Sequence, residues 1–213
     1  MRVIALLALF CLSGCQTGYF QLMDKAGIPK RQILVNRVQD ARDAQIKARY
    51  AFSRANDRYQ AALHPSGNAP AITAEELAKA YADSDKAAKA VPPRVDIVQH
   101  VGDALFSEWK SELGQYRDAN LAATSRAEYE TSHRQYLALL AQMRTTQQQV
   151  QPALDALNDE LLFIKHQSNA QAISGLKDSE RTIPGNIGPL LIDMQRSIDQ
   201  AGTFLQRLTP SNQ

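Results

Sequence analysis

Few residues in the sequence have the types and spacing that metal or acid–base chemistry needs, and the clearest set lies near its middle. Glu130 and His133 are three positions apart, so on a helix both project from one face. Carboxylate di-iron bundles use this Glu-x-x-His spacing, but they need it twice together with two further glutamates. No second Glu-x-x-His occurs. A small-ligand or metal site of Glu130, His133 and Tyr136 is therefore only the alternative, and we predict neither metal nor cofactor.

Other catalytic motifs are also missing from the sequence. It contains no Gly-x-x-x-x-Gly-Lys phosphate loop, no His-Glu-x-x-His and no Gly-x-Ser-x-Gly. A hydrolase acting on envelope polymers would need a pair of poised carboxylates, and no such pair can be chosen from spacing. The 24 Lys and Arg against 22 Asp and Glu leave a net charge of only +2, which argues against a nucleic-acid partner. We predict that the protein is not an enzyme.

Four ring-bearing residues form the candidate binding surface. Trp109 lies on an apolar seam, and Tyr129, His133 and Tyr136 follow one another at steps of four and three. That spacing is typical of the buried side of a helix, so one interpretation is that all four only pack. Exposed aromatic surface, in contrast, often marks an interaction site. Our hypothesis is that the four residues line a groove for a membrane-bound partner or a second copy of the chain.

Four segments of the chain must position these side chains. In each segment, apolar residues recur at alternating steps of four and three, which is the seam of a coiled coil. Hydrophobic residues make up 44% and charged residues 22%, as in folded domains. We predict an all-α fold, an elongated antiparallel coiled-coil helical bundle of three long helices and one shorter C-terminal helix. The seams cover residues 34–62, 77–109, 129–164 and 187–208.

Turn and cap signals separate the four segments. Thr73 with Glu76, and Ser125 with Glu128, have the spacing of a capping box, so they predict the starts of the second and third helices. Short connections predict that successive helices are antiparallel neighbours. Residues typical of turns are concentrated at 64–70, 120–124 and 174–186.

Two features modify the simple bundle. Pro92-Pro93 falls within the second seam without loss of register, which favours a kink over a complete break. The fourth helix is too short for the whole rod, and we expect it to cover only the distal half of the third. That placement would leave Tyr129, His133 and Tyr136 in a thinner section of three helices.

The first fifteen residues have the order of an export signal. Met1-Arg2 is basic, Val3 to Leu12 is a run of ten apolar residues, and Leu12-Ser13-Gly14-Cys15 follows. Ten residues are too few to cross about 30 Å of hydrocarbon. The last four residues resemble the lipobox of bacterial lipoproteins. This resemblance implies a lipid thioether on Cys15, cleavage before it, and acylation of its new amine by a fatty acid such as palmitate.

The lipobox also predicts domain organisation and location. We expect a signal peptide at 1–14, a lipidated tether at 15–30, the bundle at 31–208 and a tail at 209–213. Gln16 stands where Asp would mark inner-membrane retention in enterobacterial sorting, so the resemblance implies the outer membrane, with the chain facing the periplasm. A basic group could lie at the membrane surface or simply be solvated at the helix start. It consists of Lys25, Lys30, Arg31 and Arg37.

Three stretches resemble one known family. They are residues 30–45, beginning Lys30-Arg31-Gln32, residues 104–109, ending at Trp109, and residues 162–173, which include Lys165-His166. They resemble an uncharacterised proteobacterial lipoprotein family, domain of unknown function 2959. The resemblance implies an anchor and a helical fold, and it supplies no catalytic residue. Together these observations predict a non-enzymatic, lipid-anchored bundle that binds or spaces an unknown envelope protein, or self-associates.

Overall fold

The protein is described by a computed structural model that covers residues 29–63, 72–174 and 187–209. Within these ranges the chain forms α-helices and no strand, so the predicted all-α class is confirmed. The longest helix has 56 residues and at 1.5 Å per residue is about 84 Å long. The helices are α1 Lys30–Leu63, α2 Ala74–Lys89, α3 Pro92–Glu112, α4 Ala119–Ser174 and α5 Ile187–Leu208.

The helices form a four-membered bundle in which α2 and α3 together act as one member. Both α1 and α4 pack against α2, α3 and α5, which places α1 and α4 on opposite corners. The predicted seams form the interior of the bundle. Leu34, Val38 and Phe52 of α1 and Leu157 of α4, for example, are completely buried. Burial of these side chains holds the helices together, since each contributes about 1.5–3 kcal/mol relative to exposure.

Pro92 and Pro93 divide the second predicted helix into α2 and α3. Neither proline has an N–H group, so the hydrogen-bond ladder cannot pass through them. The N–H groups of Ala90 and Val91 donate instead to carbonyls three residues back, and α3 begins at Pro92, a position that suits proline. Val91 and Val95 are both buried, and both segments lie on α1. The ladder is thus interrupted while the apolar seam continues through the joint.

One predicted helix start is confirmed and the other is wrong. Thr73 and Glu76 form the reciprocal capping box at the start of α2. At α4, however, a carboxylate oxygen of Asp118 accepts hydrogen bonds from the N–H groups of Asn120 and Leu121, so the helix begins at Ala119 rather than after Ser125. Aspartate is as good an N-cap as serine, and Asp118 precedes Ser125 in the chain. The helix therefore starts at the earlier of the two caps.

The predicted position of the fourth helix, now α5, is also wrong. Gln149 of α4 donates to the Asp193 carboxylate at 2.6 Å, and further along α5 Phe204 and Arg207 line the same surface groove as Gln135. The antiparallel α5 therefore covers the middle of α4 and reaches the neighbourhood of Tyr136. Helix length alone could not reveal this, because hydrogen bonds between helices set the position of α5 along the rod.

Candidate functional site

Five rings gather between α3 and α4, and we call them the aromatic cluster. Phe106 lies at the centre, with its ring centroid 4.9 Å from that of His133 and 5.1 Å from that of Tyr136. Separations of this size suit stacked and edge-to-face ring pairs, each of which adds about 0.5–1.5 kcal/mol beyond area burial. The members are Phe106 and Trp109 of α3 and Tyr129, His133 and Tyr136 of α4. The structure thus brings the four predicted residues together around a fifth.

Phe106 was not among the predicted site residues. Its neighbours Leu105 and Trp109 carry the seam of α3, and Phe106 lies beside that seam, where the step pattern predicts nothing about burial. In the structure it is 2% exposed. The available signal was the three-residue spacing to Trp109, which puts both rings on neighbouring positions of one helix surface.

The outer part of the cluster remains partly accessible. Trp109, Tyr129 and His133 are half-buried. The Trp109 indole N–H donates to the Ser125 hydroxyl at 3.0 Å, so Ser125 anchors the indole instead of capping α4. The ring edges of these three residues could meet another molecule without a change in the helices.

Tyr136 does not match the hypothesis of an exposed groove. Its side chain is fully buried, and its hydroxyl lies 2.8 Å from the Asp103 carboxylate and 2.9 Å from the Gln99 carbonyl oxygen. Burial, and then the hydrogen bond to Asp103, raise the pKa of the Tyr136 phenol well above its usual 10. The expectation that Tyr136 lines an open groove is wrong, because Gly102 and Phe106 of α3 lie against its ring.

A glycine makes this burial possible. Gly102 of α3 lies directly against the Tyr136 ring, and a Cβ atom on Gly102 would lie 2.3 Å from ring carbon Cε2. Real Cβ atoms essentially never approach that closely. Only a residue without a side chain lets α3 and the tyrosine come this near to each other.

The alternative metal or ligand site gains no support from the geometry. Glu130 is exposed, whereas His133 stacks on Tyr129 with ring centroids 5.3 Å apart. The raised pKa of Tyr136 opposes the phenolate form that a metal ligand requires. Among the residues that the structure describes, no three His, Cys, Asp or Glu side chains are grouped so that they could hold a metal ion.

A polar pair lies in the middle of the interior, where the sequence pattern predicts apolar contact. Gln45 of α1 and Ser197 of α5 are both buried; the amide nitrogen donates to the hydroxyl at 2.9 Å, and the hydroxyl lies 3.2 Å from the amide oxygen. A buried polar pair of this kind favours one register over its neighbours, because any shift would leave both groups unsatisfied. It aligns α1 with α5.

The predicted basic group is only partly within the described residues. Lys25 and Cys15 lie outside them. The Lys30 ammonium is 2.9 Å from the Glu108 carboxylate of α3, and Arg37 forms an ion pair with Asp40, while Arg31 is exposed. The Lys30 contact places the start of α1 beside the last turn of α3. The first residues of α1 therefore lie near the α3–α4 turn.

Fold and site together define an all-α antiparallel bundle in which the rings of the aromatic cluster pack against one another between α3 and α4. The chain belongs to the family described as protein of unknown function (DUF2959), whose model matches residues 19–208. This confirms the resemblance to domain of unknown function 2959. No curated protein and no solved structure matches the chain. Across the described helices, none has the length and apolar character needed to span a bilayer.

Proposed function

We propose that this protein is a lipid-anchored helical bundle of the bacterial outer membrane that faces the periplasm. It acts without catalysis, as a partner-binding or spacer module of the cell envelope. The observation that carries the proposal is the position of the start of α1. The start of α1 is held beside the end of α3 by the ion pair of Lys30 with Glu108, so Cys15 would attach the bundle to a membrane at one end.

The dimensions of the bundle support a role in spacing or reach. A helix of about 84 Å, tethered at one end, can present surface well away from the lipid. A second copy or an unknown envelope protein is the proposed partner. The accessible edges of Trp109, Tyr129 and His133 are its proposed contact, with buried Tyr136 supporting them from beneath.

The anchor is tested with a labelled fatty acid in growing cells. Wild-type chain should incorporate the label and fractionate with the outer membrane, whereas Cys15→Ser should do neither, since the acceptor sulfur is gone. Cys11→Ser is the matched control, because Cys11 belongs to the segment to be removed and its loss should change nothing. Label retained in Cys15→Ser, or absent from the wild type, would show that the anchor assignment is wrong.

Partner binding is tested by placing a photo-crosslinking amino acid at Tyr129 in living cells. The control position is Ile46 of α1, which is exposed and follows Gln45, at the level where α1 pairs with α5. A defined covalent product from position 129 alone supports a partner at the cluster. Equal products from both positions contradict a specific contact, and no product from either favours spacing as the sole role.

A further inference from the structure

Two large apolar side chains are exposed where α3 turns into α4. Tyr116 is 44% exposed and Leu121 is 59% exposed, and half-buried Leu113 begins the same turn. We call residues 113–121 the hairpin tip. Neither the Tyr116 nor the Leu121 side chain is buried in the bundle interior, so both can contact a surface outside it.

The hairpin tip lies at the tethered end of the bundle. Glu108, which pairs with Lys30, is only four residues before the end of α3 at Glu112. Residues 16–29 separate Cys15 from Lys30 and can span at most about 50 Å even when fully extended. A lipid on Cys15 therefore keeps a bilayer within reach of the hairpin tip.

The side chains of the tip have the chemistry of a membrane interface. Tyrosine is favoured there because its ring is apolar and its hydroxyl is polar, and leucine gains from leaving water. The charges nearby balance, since Lys110 and Arg117 are matched by Glu112 and Asp118. The contact should therefore depend on the apolar side chains and not on anionic lipid.

We propose that the hairpin tip lies in the bilayer interface, with Tyr116 and Leu121 inserted among the lipid headgroups. This inference rests on the proposed lipid anchor at Cys15, which supplies the proximity. The bundle then has two attachments at one end, the acyl chains and the tip, and the second restrains the direction in which the rod points.

The experiment uses the lipidated chain, purified in detergent and reconstituted into phosphatidylcholine vesicles. Tyr116→Cys receives an environment-sensitive fluorophore through a maleimide, and Tyr50→Cys on the outer face of α1 is the matched control, since Tyr50 is also an exposed tyrosine. Under the proposed function, Cys11 is removed and Cys15 is alkylated, so unmodified wild type should take up no maleimide. Labelling of the wild type would contradict the proposed anchor at Cys15. This result does not depend on the fluorescence at position 116, so failure of the anchor can be told apart from failure of the tip contact.

We expect the fluorophore at position 116 to emit at shorter wavelength in vesicles. Lipid-attached nitroxide should quench it and aqueous iodide should not, with the opposite result at position 50. Adding Leu121→Ser should reduce the nitroxide quenching at 116, whereas Leu137→Ser, an exposed leucine on the side of α4, should leave it unchanged.

Two results would overturn the proposal. If anchored chain shows equal iodide access at positions 116 and 50, the tip lies in water. If the label at 116 is shielded from iodide but insensitive to lipid nitroxide, a protein surface covers the tip, either of a second copy or of another segment, and the lipid contact is wrong.

Discussion

Replacing Gly102 with alanine should destabilise the bundle, although alanine is the better helix former. In the middle of a helix the exchange gains about 0.8–1 kcal/mol from propensity alone. Here the new methyl group would meet Tyr136 ring carbons at 2.3 and 2.4 Å. The ring has little room to retreat, because it stacks on Phe106 and its hydroxyl is held by Asp103.

The expected magnitude follows from these two opposing terms. Inserting a methyl group into a filled interior costs about 1–3 kcal/mol, and forced displacement of a ring belongs at the upper end of that range. After the propensity gain is subtracted, Gly102→Ala should lower the free energy of unfolding by about 1–2 kcal/mol. With a urea m-value of about 2 kcal/mol/M, the midpoint should fall by about 0.5–1 M.

The assay is urea unfolding of residues 16–213, followed by far-ultraviolet circular dichroism. Gly202→Ala on α5 is the matched control. A Cβ atom at Gly202 meets nothing within 4 Å, so this variant should be more stable than wild type by up to about 1 kcal/mol. The two glycine-to-alanine changes are thus expected to have opposite signs.

A third variant tests the cause. In a Tyr136→Leu background the ring carbons are gone, so adding Gly102→Ala should become neutral or stabilising. If Gly102→Ala stabilises the wild-type chain as Gly202→Ala does, or if its cost persists in the leucine background, then the close approach of Gly102 to Tyr136 is not what limits stability.

Two further predictions concern buried polar groups. Gln45→Leu should lower the free energy of unfolding by about 1–3 kcal/mol, because it leaves the Ser197 hydroxyl unsatisfied. In urea unfolding, adding Ser197→Ala should recover most of that loss. If the effects of the two substitutions are strictly additive, the two side chains do not act as a pair. Burial raises the pKa of both Tyr59 and Tyr136 above the usual 10, so the folded state keeps protons that the unfolded state releases. The free energy of unfolding should be unaffected below pH 10 and fall above it, by up to about 1.4 kcal/mol per pH unit for each tyrosine. Tyr136→Phe should remove the contribution of one tyrosine to this fall. If the fall per pH unit is the same in the variant, Tyr136 ionises freely in the folded protein.

Local patterns in the sequence were sufficient to predict the helices and much of the interior. Steps of four and three place side chains such as Val38, Phe52 and Leu157 on one face of a helix, and all three are completely buried. The capping box of Thr73 and Glu76 could be recognised because both partners lie within four residues. Such signals depend only on the geometry of one helix, which a short stretch of sequence already contains.

The candidate site was only partly predictable for the same reason. Spacing along α3 and α4 identified four rings of the aromatic cluster, but it could not indicate how deeply each is buried. Tyr136 and Trp109 both lie on a seam, yet one is fully buried and the other half-buried. Tyr136 is the more deeply buried because Gly102, on the facing helix α3, leaves room for its ring.

The sequence by itself determined the helical class and the apolar faces, because each depends on residues within a turn or two of one another. At Pro92-Pro93 it predicted a kink, whereas the structure has two separate helices there. Only the tertiary structure decided the placement of α5 and the burial of Tyr136. Those features depend on pairs such as Gln45 with Ser197 and Gly102 with Tyr136, which are separated by 152 and 34 positions along the chain. Side chains on different helices set the register between them, and a periodic pattern along one helix is compatible with several registers.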